Sequence, residues 1–206
     1  LANAPGALEL LPNESYGNGW LRVRHNGSDL DVWPKQGDPY KEIYKVRGTW
    51  YALFREDWIN PSGRPPKRGG GTFKRTCEYL DKAKNFHQKV ANTFHGNSYA
   101  HYGADRGRKS FGEVTWEIKN CANASGWQHW PILGDTRQGS VELVRAQMPT
   151  GNMALSPLNN KPAASICAVI LPPTAPGDQT VPMKSADHQL NSGVFKGIFR
   201  QTGYEH

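Results

Sequence analysis

Apolar and polar residues alternate with a period of two in several short segments of this chain, which predicts strands, and with a helical period only once. Trp20-Leu21-Arg22-Val23-Arg24 and Asp29-Leu30-Asp31-Val32-Trp33 flank Asn26-Gly27, two residues that tolerate positive φ, so the segment predicts a hairpin with a Trp at each outer end. Ile43 to Arg55 is the strongest strand candidate of the first half, with Thr49-Trp50-Tyr51-Ala52-Leu53-Phe54 rich in β-formers and Gly48 marking a bulge or turn. Further strands are predicted at Glu113–Lys119, Val141–Ala146 and Val194–Arg200. Ser165–Leu171, a continuous apolar run stopped by Pro172-Pro173, reads as a strand buried on both faces.

Asn60–Gly71, with Asn-Pro, Pro-Pro and Gly-Gly-Gly, is incompatible with regular structure. After it, Leu80, Ala83, Val90 and Phe94 form one stripe, with Cys77 and Phe86 or His87 beside it. This predicts a helix over about 76–94, capped by Thr76 and stopped by Gly96. The expected fold is therefore mainly β, a β-sandwich or distorted β-barrel with one principal helix near 76–94.

Composition narrows the picture further. Apolar residues make up 37% of the 206, but seven Trp, eight Tyr and seven Phe supply the bulk for a core, so residues 1–206 are expected to form a single globular domain. The longest apolar run, Ile166–Leu171, is far too short to cross a bilayer. The chain starts at Leu1 without an initiator Met and reads as a piece of a longer precursor. Cys77, Cys121 and Cys167 have neither paired zinc spacing nor an even count. They read as three reduced, buried thiols, with one disulfide plus a free thiol as the alternative.

Charge is regional. Between Arg64 and Lys109 there are 11 Lys and Arg against three acids, Glu78, Asp81 and Asp105, a net +8, whereas the rest of the chain is nearly balanced. Such a block must meet a polyanion, stay solvated, or be answered by acids elsewhere in the fold. Arg64, Lys67 and Arg68 in the loop, with Lys74 and Arg75 behind it, make the candidate partner-binding patch. Trp127, His129 and Trp130 join it as a possible aromatic platform for a sugar, against the plainer reading of Trp anchors that pack a long loop onto the sheet.

No motif of high specificity for catalysis or for a cofactor is present, and no metal site or cofactor is expected. His87, His95, His101 and Asp105 are the only metal-ligand types that cluster, and their spacing matches no common zinc site. The same histidines with Glu113, among Lys89, Arg106, Arg108 and Lys109, hold the residue types of an acid–base nuclease. Phe73, Tyr79, Phe86, Tyr99 and Tyr102 near the basic block could stack bases, although the motif of an RNA-recognition sheet is missing.

A chain of this length without a start Met, its unpaired cysteines, its many Trp, Pro and Gly, and segments such as Thr49–Phe54 and Gly193-Val194-Phe195-Lys196-Gly197-Ile198-Phe199 together resemble a viral capsid protrusion, most closely an avian-type astrovirus spike. The resemblance implies a non-enzymatic, homodimeric spike on the virion surface. It would be assembled in the host cytoplasm from a capsid precursor and would attach to a host receptor protein or glycan. The alternative is a basic nucleic-acid-binding or RNA-cleaving domain.

Overall fold

Leu21, Val23, Trp116, Ile118, Val141, Leu143, Ile166 and Ala168 are buried while their chain neighbours are polar or half-exposed, and this alternation organises the main sheet. The computed structural model describes residues 2–64, 71–145 and 165–203. Six strands form the sheet in the order β2-β1-β5-β8-β7-β6, with β1 Leu21–His25, β2 Ser28–Trp33, β5 Val114–Lys119, β6 Ile132–Asp135, β7 Ser140–Leu143 and β8 Ile166–Ile170. Every pairing is antiparallel except β1 with β5, where Val23 lies opposite Trp116 and His25 opposite Ile118. Across β5, β8 and β7 the register aligns Ile118, Ala168 and Val141, so one face of the sheet is a continuous apolar surface.

The β1–β2 hairpin forms as its sequence predicts. Asn26 and Gly27 take φ of 52° and 74°, and Leu21 pairs with Trp33. On the opposite, wet face, Arg22 and Arg24 both reach Asp29, at 2.8 and 2.6 Å, and Arg22 also meets Glu113 at 3.0 Å. β8 sits where the apolar run places it, but among the described residues its two faces are not equally buried. Cys167 and Val169 are half-buried, whereas Ile166 and Ala168 on the other face are buried.

The apolar face is covered by helices and loops. The short α1, Pro5–Leu8, inserts Leu8, and a π-helical turn at Tyr40–Tyr44 buries Tyr40, Ile43 and Tyr44. The other short helix of this half is α2, Glu56–Ile59. The principal helix, α3, runs over Phe73–Val90, about one turn earlier than the sequence predicts. Its cap is Thr72, whose hydroxyl accepts from the Arg75 N–H at 3.1 Å. Thr76 is instead buried inside the first turn, donating to the Thr72 and Ala2 carbonyls. Leu80 and Ala83 face the core as expected, whereas Val90 is 40% exposed.

Ile43–Arg55 is not a strand. Gly48 turns at φ 72°, and the Ala52 N–H closes on the Thr49 carbonyl, so the aromatic residues anchor a loop. Trp50 donates to the Trp127 carbonyl at 2.7 Å, and Tyr51 stacks on Trp33 with ring centres 4.9 Å apart. Residues that suit a half-buried pleated surface suit an aromatic cluster equally well.

The remaining elements lie beside this assembly. β3 (Tyr99–Gly103) pairs in parallel with β10 (Gly197–Gln201), and β4 (Asp105–Ser110) pairs antiparallel with β9 (Ala175–Gly177). α4, Met183–Ser192, ends on Gly193 in the left-handed conformation. The fold is thus mainly β, and among the described residues there are three open sheets, which do not close into a barrel, and one principal helix. Cys77, Cys121 and Cys167 are free and half-buried, where full burial was expected. Among the described residues no helix is long and apolar enough to cross a membrane.

Candidate partner-binding site

Residues 45–60 and the start of α3 enclose a two-part cleft. One part, about 570 Å³, runs from Trp50, Phe54 and Arg55 to Trp130 and Pro131. The other, about 850 Å³, continues past Lys45, Ile59 and Thr72 to Lys74 and Cys77. Arg47, Glu56, Asp57 and Phe73 border both.

The local fold explains these positions. Thr72 caps α3 and turns Phe73 inward, where its ring lies 4.9 Å from the Arg47 guanidinium. Arg47 is also paired with Glu56, and Lys45 with Asp81. Arg55 joins three groups at once: Asp57 at 2.7 Å, Asp135 at 2.7 Å and the face of Trp58 at 4.9 Å. The cleft therefore has walls of mixed, mutually paired charge and apolar patches from Phe54 and Phe73. Burial pushes the Cys77 thiol up, so it stays protonated and poorly nucleophilic near neutral pH.

The expected patch is only partly assembled. Lys74 lines one end of the cleft and Trp130 the other. Arg75 is exposed and folds back on Tyr79, donating to its hydroxyl at 2.9 Å. Arg64 and His129 are exposed but line neither part, and Lys67 and Arg68 lie outside the described residues. Trp127 and Trp130 are 4% and 3% exposed, so no open aromatic platform exists there. They pack in the core, the plainer of the two sequence readings, because the Trp127 carbonyl and ring are engaged by Trp50.

The described part of the basic block is spread over the loop at Arg64, α3 and β4, and Lys84 is answered by acids within the fold. Lys84 pairs with Asp38 at 2.8 Å and Glu14 at 3.0 Å, and Lys82 lies over the Tyr79 ring. The histidines do not converge. His87 Nε2 donates to the Glu9 carbonyl at 2.7 Å while Nδ1 faces the Tyr40 hydroxyl at 2.6 Å, a packing role. His95 Nδ1 accepts from the Asn97 N–H, and His101 is exposed on β3. Among the described residues no group of three or more His, Cys, Asp or Glu could hold a metal ion.

Arg47, Arg55, Glu56 and Asp57 were not singled out by sequence reasoning, and Phe73 was noted only as an aromatic that could stack bases. Their only signal is the close succession of opposite charges and an aromatic in Arg55-Glu56-Asp57-Trp58.

No protein-family profile matches the sequence, and no curated protein is significantly similar to it. Among solved structures, a chain in the crystal structure of the Tle4–Tli4 complex is similar over the whole of this chain, with 28% identity and a TM-score of 0.69. The match spans 42% of that chain, so this chain corresponds to less than half of its neighbour. The neighbour is a component of a protein–protein complex and not of a virus capsid. This corrects the spike resemblance, together with the virion-surface location and the host-attachment role that it implied. The nucleic-acid alternative gains no support from the comparisons either.

Proposed function

We propose that this chain is a non-catalytic recognition domain that binds a second, dissimilar protein, within an assembly of the kind the Tle4–Tli4 complex represents. The observation that carries this reading is the full-length likeness to a chain solved in such a complex. The cleft is in keeping with it: Arg47, Arg55 and the rings of Phe54 and Phe73 in its lining are of the residue types enriched at protein interfaces. Its lining contains no histidine, and its one thiol is pushed up by burial, which favours binding over turnover.

The test is native mass spectrometry of the protein isolated from its own cells, followed by reconstitution with the purified partner. A 1:1 complex with one dissimilar protein is expected, weakened about tenfold or more by Arg47→Asp and Lys74→Glu, which place like charges in the cleft. A two-fold homodimer, as the sequence led one to expect, is separated by the same measurement. Finding only monomer or homodimer, or unchanged affinity in both variants, overturns the reading.

A further inference from the structure

The region formed by β3, β4, β9, α4 and β10 has regular elements but, among the described residues, almost no interior. No residue of the core cluster, or packed at its edge, lies within 94–113 or 175–203. The buried apolar residues there are Ala100 and Ala104, and α4 buries none of its side chains. Tyr99, Phe111, Val181, Leu190, Val194 and Phe199, which could have filled an interior, are exposed. The burial that stabilises the large sheet is thus nearly missing here, and two-stranded sheets are marginal in water without it.

The bonds of this region close on themselves. β3 pairs with β10 and β4 with β9, and among the described residues no ladder joins either pair to the six-stranded sheet. The Ala104 N–H donates to the Gln201 carbonyl and the Lys196 N–H to the Ser98 carbonyl, both at 2.8 Å. Tyr102 and Arg200, opposite one another in the register, both donate to Asp187 of α4, and Phe94 lies edge-on to Phe195.

Tyr16 bridges this region to the main assembly. Its ring packs edge-on to the buried Trp20, with ring centres 6.3 Å apart, while its hydroxyl donates to the Gly112 carbonyl at 2.7 Å. Gly112, where β4 leads into β5, is pressed in turn on the start of β9: a Cβ there would lie 2.6 Å from that of Ala175. The Lys184 ammonium of α4 stands 4.4 Å from the centre of the Tyr16 ring. A hydrogen bond and a cation–π contact at a half-buried site contribute little beside an apolar core.

We infer that β3, β4, β9, β10 and α4 form a second cooperative unit, latched to the main assembly through Tyr16, which opens while the six-stranded sheet stays folded. The cause is the uneven distribution of buried apolar surface, since local opening follows the segments with least of it.

The test is native-state amide exchange of the chain alone at rising urea, so its outcome is independent of the function proposed above. The Ala104 and Lys196 amides report on the unit. The Ile170 and Leu171 amides, bonded to the Gly139 and Thr115 carbonyls, report on the large sheet. Ala104 and Lys196 are expected to exchange together, about a hundredfold or more faster than Ile170 and Leu171. Their exchange should also depend less on urea, because opening the unit exposes less surface than global unfolding. Trp50→Phe should quicken Ile170 and Leu171 about thirtyfold or more and leave Ala104 and Lys196 unchanged, because the core is folded before and after the unit opens. Tyr16→Phe, which keeps the ring and loses the bond to Gly112, should quicken Ala104 and Lys196 about fivefold. Equal urea dependence of the two pairs in the unmodified chain, or equal quickening of both pairs by Trp50→Phe, shows that the molecule opens only as a whole and overturns the inference. Unchanged Ala104 and Lys196 exchange in Tyr16→Phe overturns the latch.

Discussion

Arg55 and Asp135, eighty residues apart in sequence, meet through an Nη1–Oδ2 hydrogen bond of 2.7 Å with both side chains only 12% exposed. Asp135 also accepts from the Trp58 indole at 3.1 Å and the Arg137 N–H at 2.7 Å. This one carboxylate ties the loop that walls the cleft to the end of β6.

Asp135→Ala should strand the Arg55 guanidinium and the Trp58 indole together. The expected loss is about 2–4 kcal/mol, below the cost of breaking a fully buried pair because some solvent reaches it. Asp135→Asn, which keeps one acceptor oxygen, should lose less. Urea unfolding of the two variants checks the order; equal midpoints would show that the junction is not held this way.

Trp50→Phe should cost about 2–3 kcal/mol, from the orphaned Trp127 carbonyl and the volume left unfilled. Trp50 lies edge-on to Trp116 and Trp127, with ring centres 5.6 and 6.0 Å away. Its removal should therefore change the native tryptophan emission as well as the unfolding midpoint, and an unaltered spectrum would contradict the cluster.

Stability should decline at both ends of the pH range. At Asp38, burial acts to raise the pKa, but the Lys84 ammonium and the Lys41 and Tyr40 N–H groups outweigh it and hold the carboxyl low. At Asp29 burial is likewise overcome by Arg24 and Arg22; at Glu42 it is overcome by the N–H groups of Lys35, Gln36 and Asp38. The Val181 and Thr180 N–H groups lower Asp178. A depressed folded pKa gives stability that is full above the unfolded value of about 4 and is lost as pH falls below it. In the other direction, burial, assisted by the charge of Glu14, pushes Tyr40 up to about 12, and burial also raises Tyr16, Tyr44 and Tyr51. Their contribution is full below about pH 10 and lost as pH rises beyond it. Urea midpoints that stay flat from pH 3 to 11 would refute both arms.

Gly177→Ala should damage one small sheet and spare the large one. A Cβ at Gly177 would fall on the Ser110 side chain and the Val181 carbonyl, whereas one at Gly96 meets nothing within 4 Å. The expected cost is about 2–3 kcal/mol, with near-neutral Gly96→Ala as the control. Amide exchange should quicken in β4 and β9 and stay slow in β5 and β8; uniform quickening would be at odds with this placement.

What the sequence disclosed follows the strength of its periodic signals. β1, β5, β8 and the body of α3 each carry an apolar stripe that the structure buries, and the Asn26-Gly27 turn marks the β1–β2 hairpin. β4, Asp-Arg-Gly-Arg-Lys-Ser, has no such stripe, and α4, Met183–Ser192, is polar nearly all round, so neither could be read. Thr76 misled about the cap because its hydroxyl serves a carbonyl inside the helix, and Thr72 performs the role four residues earlier. The cleft escaped notice because most of its charges, Lys45, Arg47, Arg55, Glu56 and Asp57, lie outside the basic block and meet Lys74 and the start of α3 only through the tertiary fold.

The lone parallel pairing in the main sheet dictates the order in which this chain can fold. β1 cannot acquire its inner neighbour until a strand roughly ninety residues downstream exists, the kind of long loop closure that slows folding. During synthesis the hairpin must wait as a two-stranded ribbon with Leu21, Val23 and one strand edge uncovered, open to mispairing with other nascent chains. The late arrival of β5 is therefore the interval in which a chaperone would matter most to its yield.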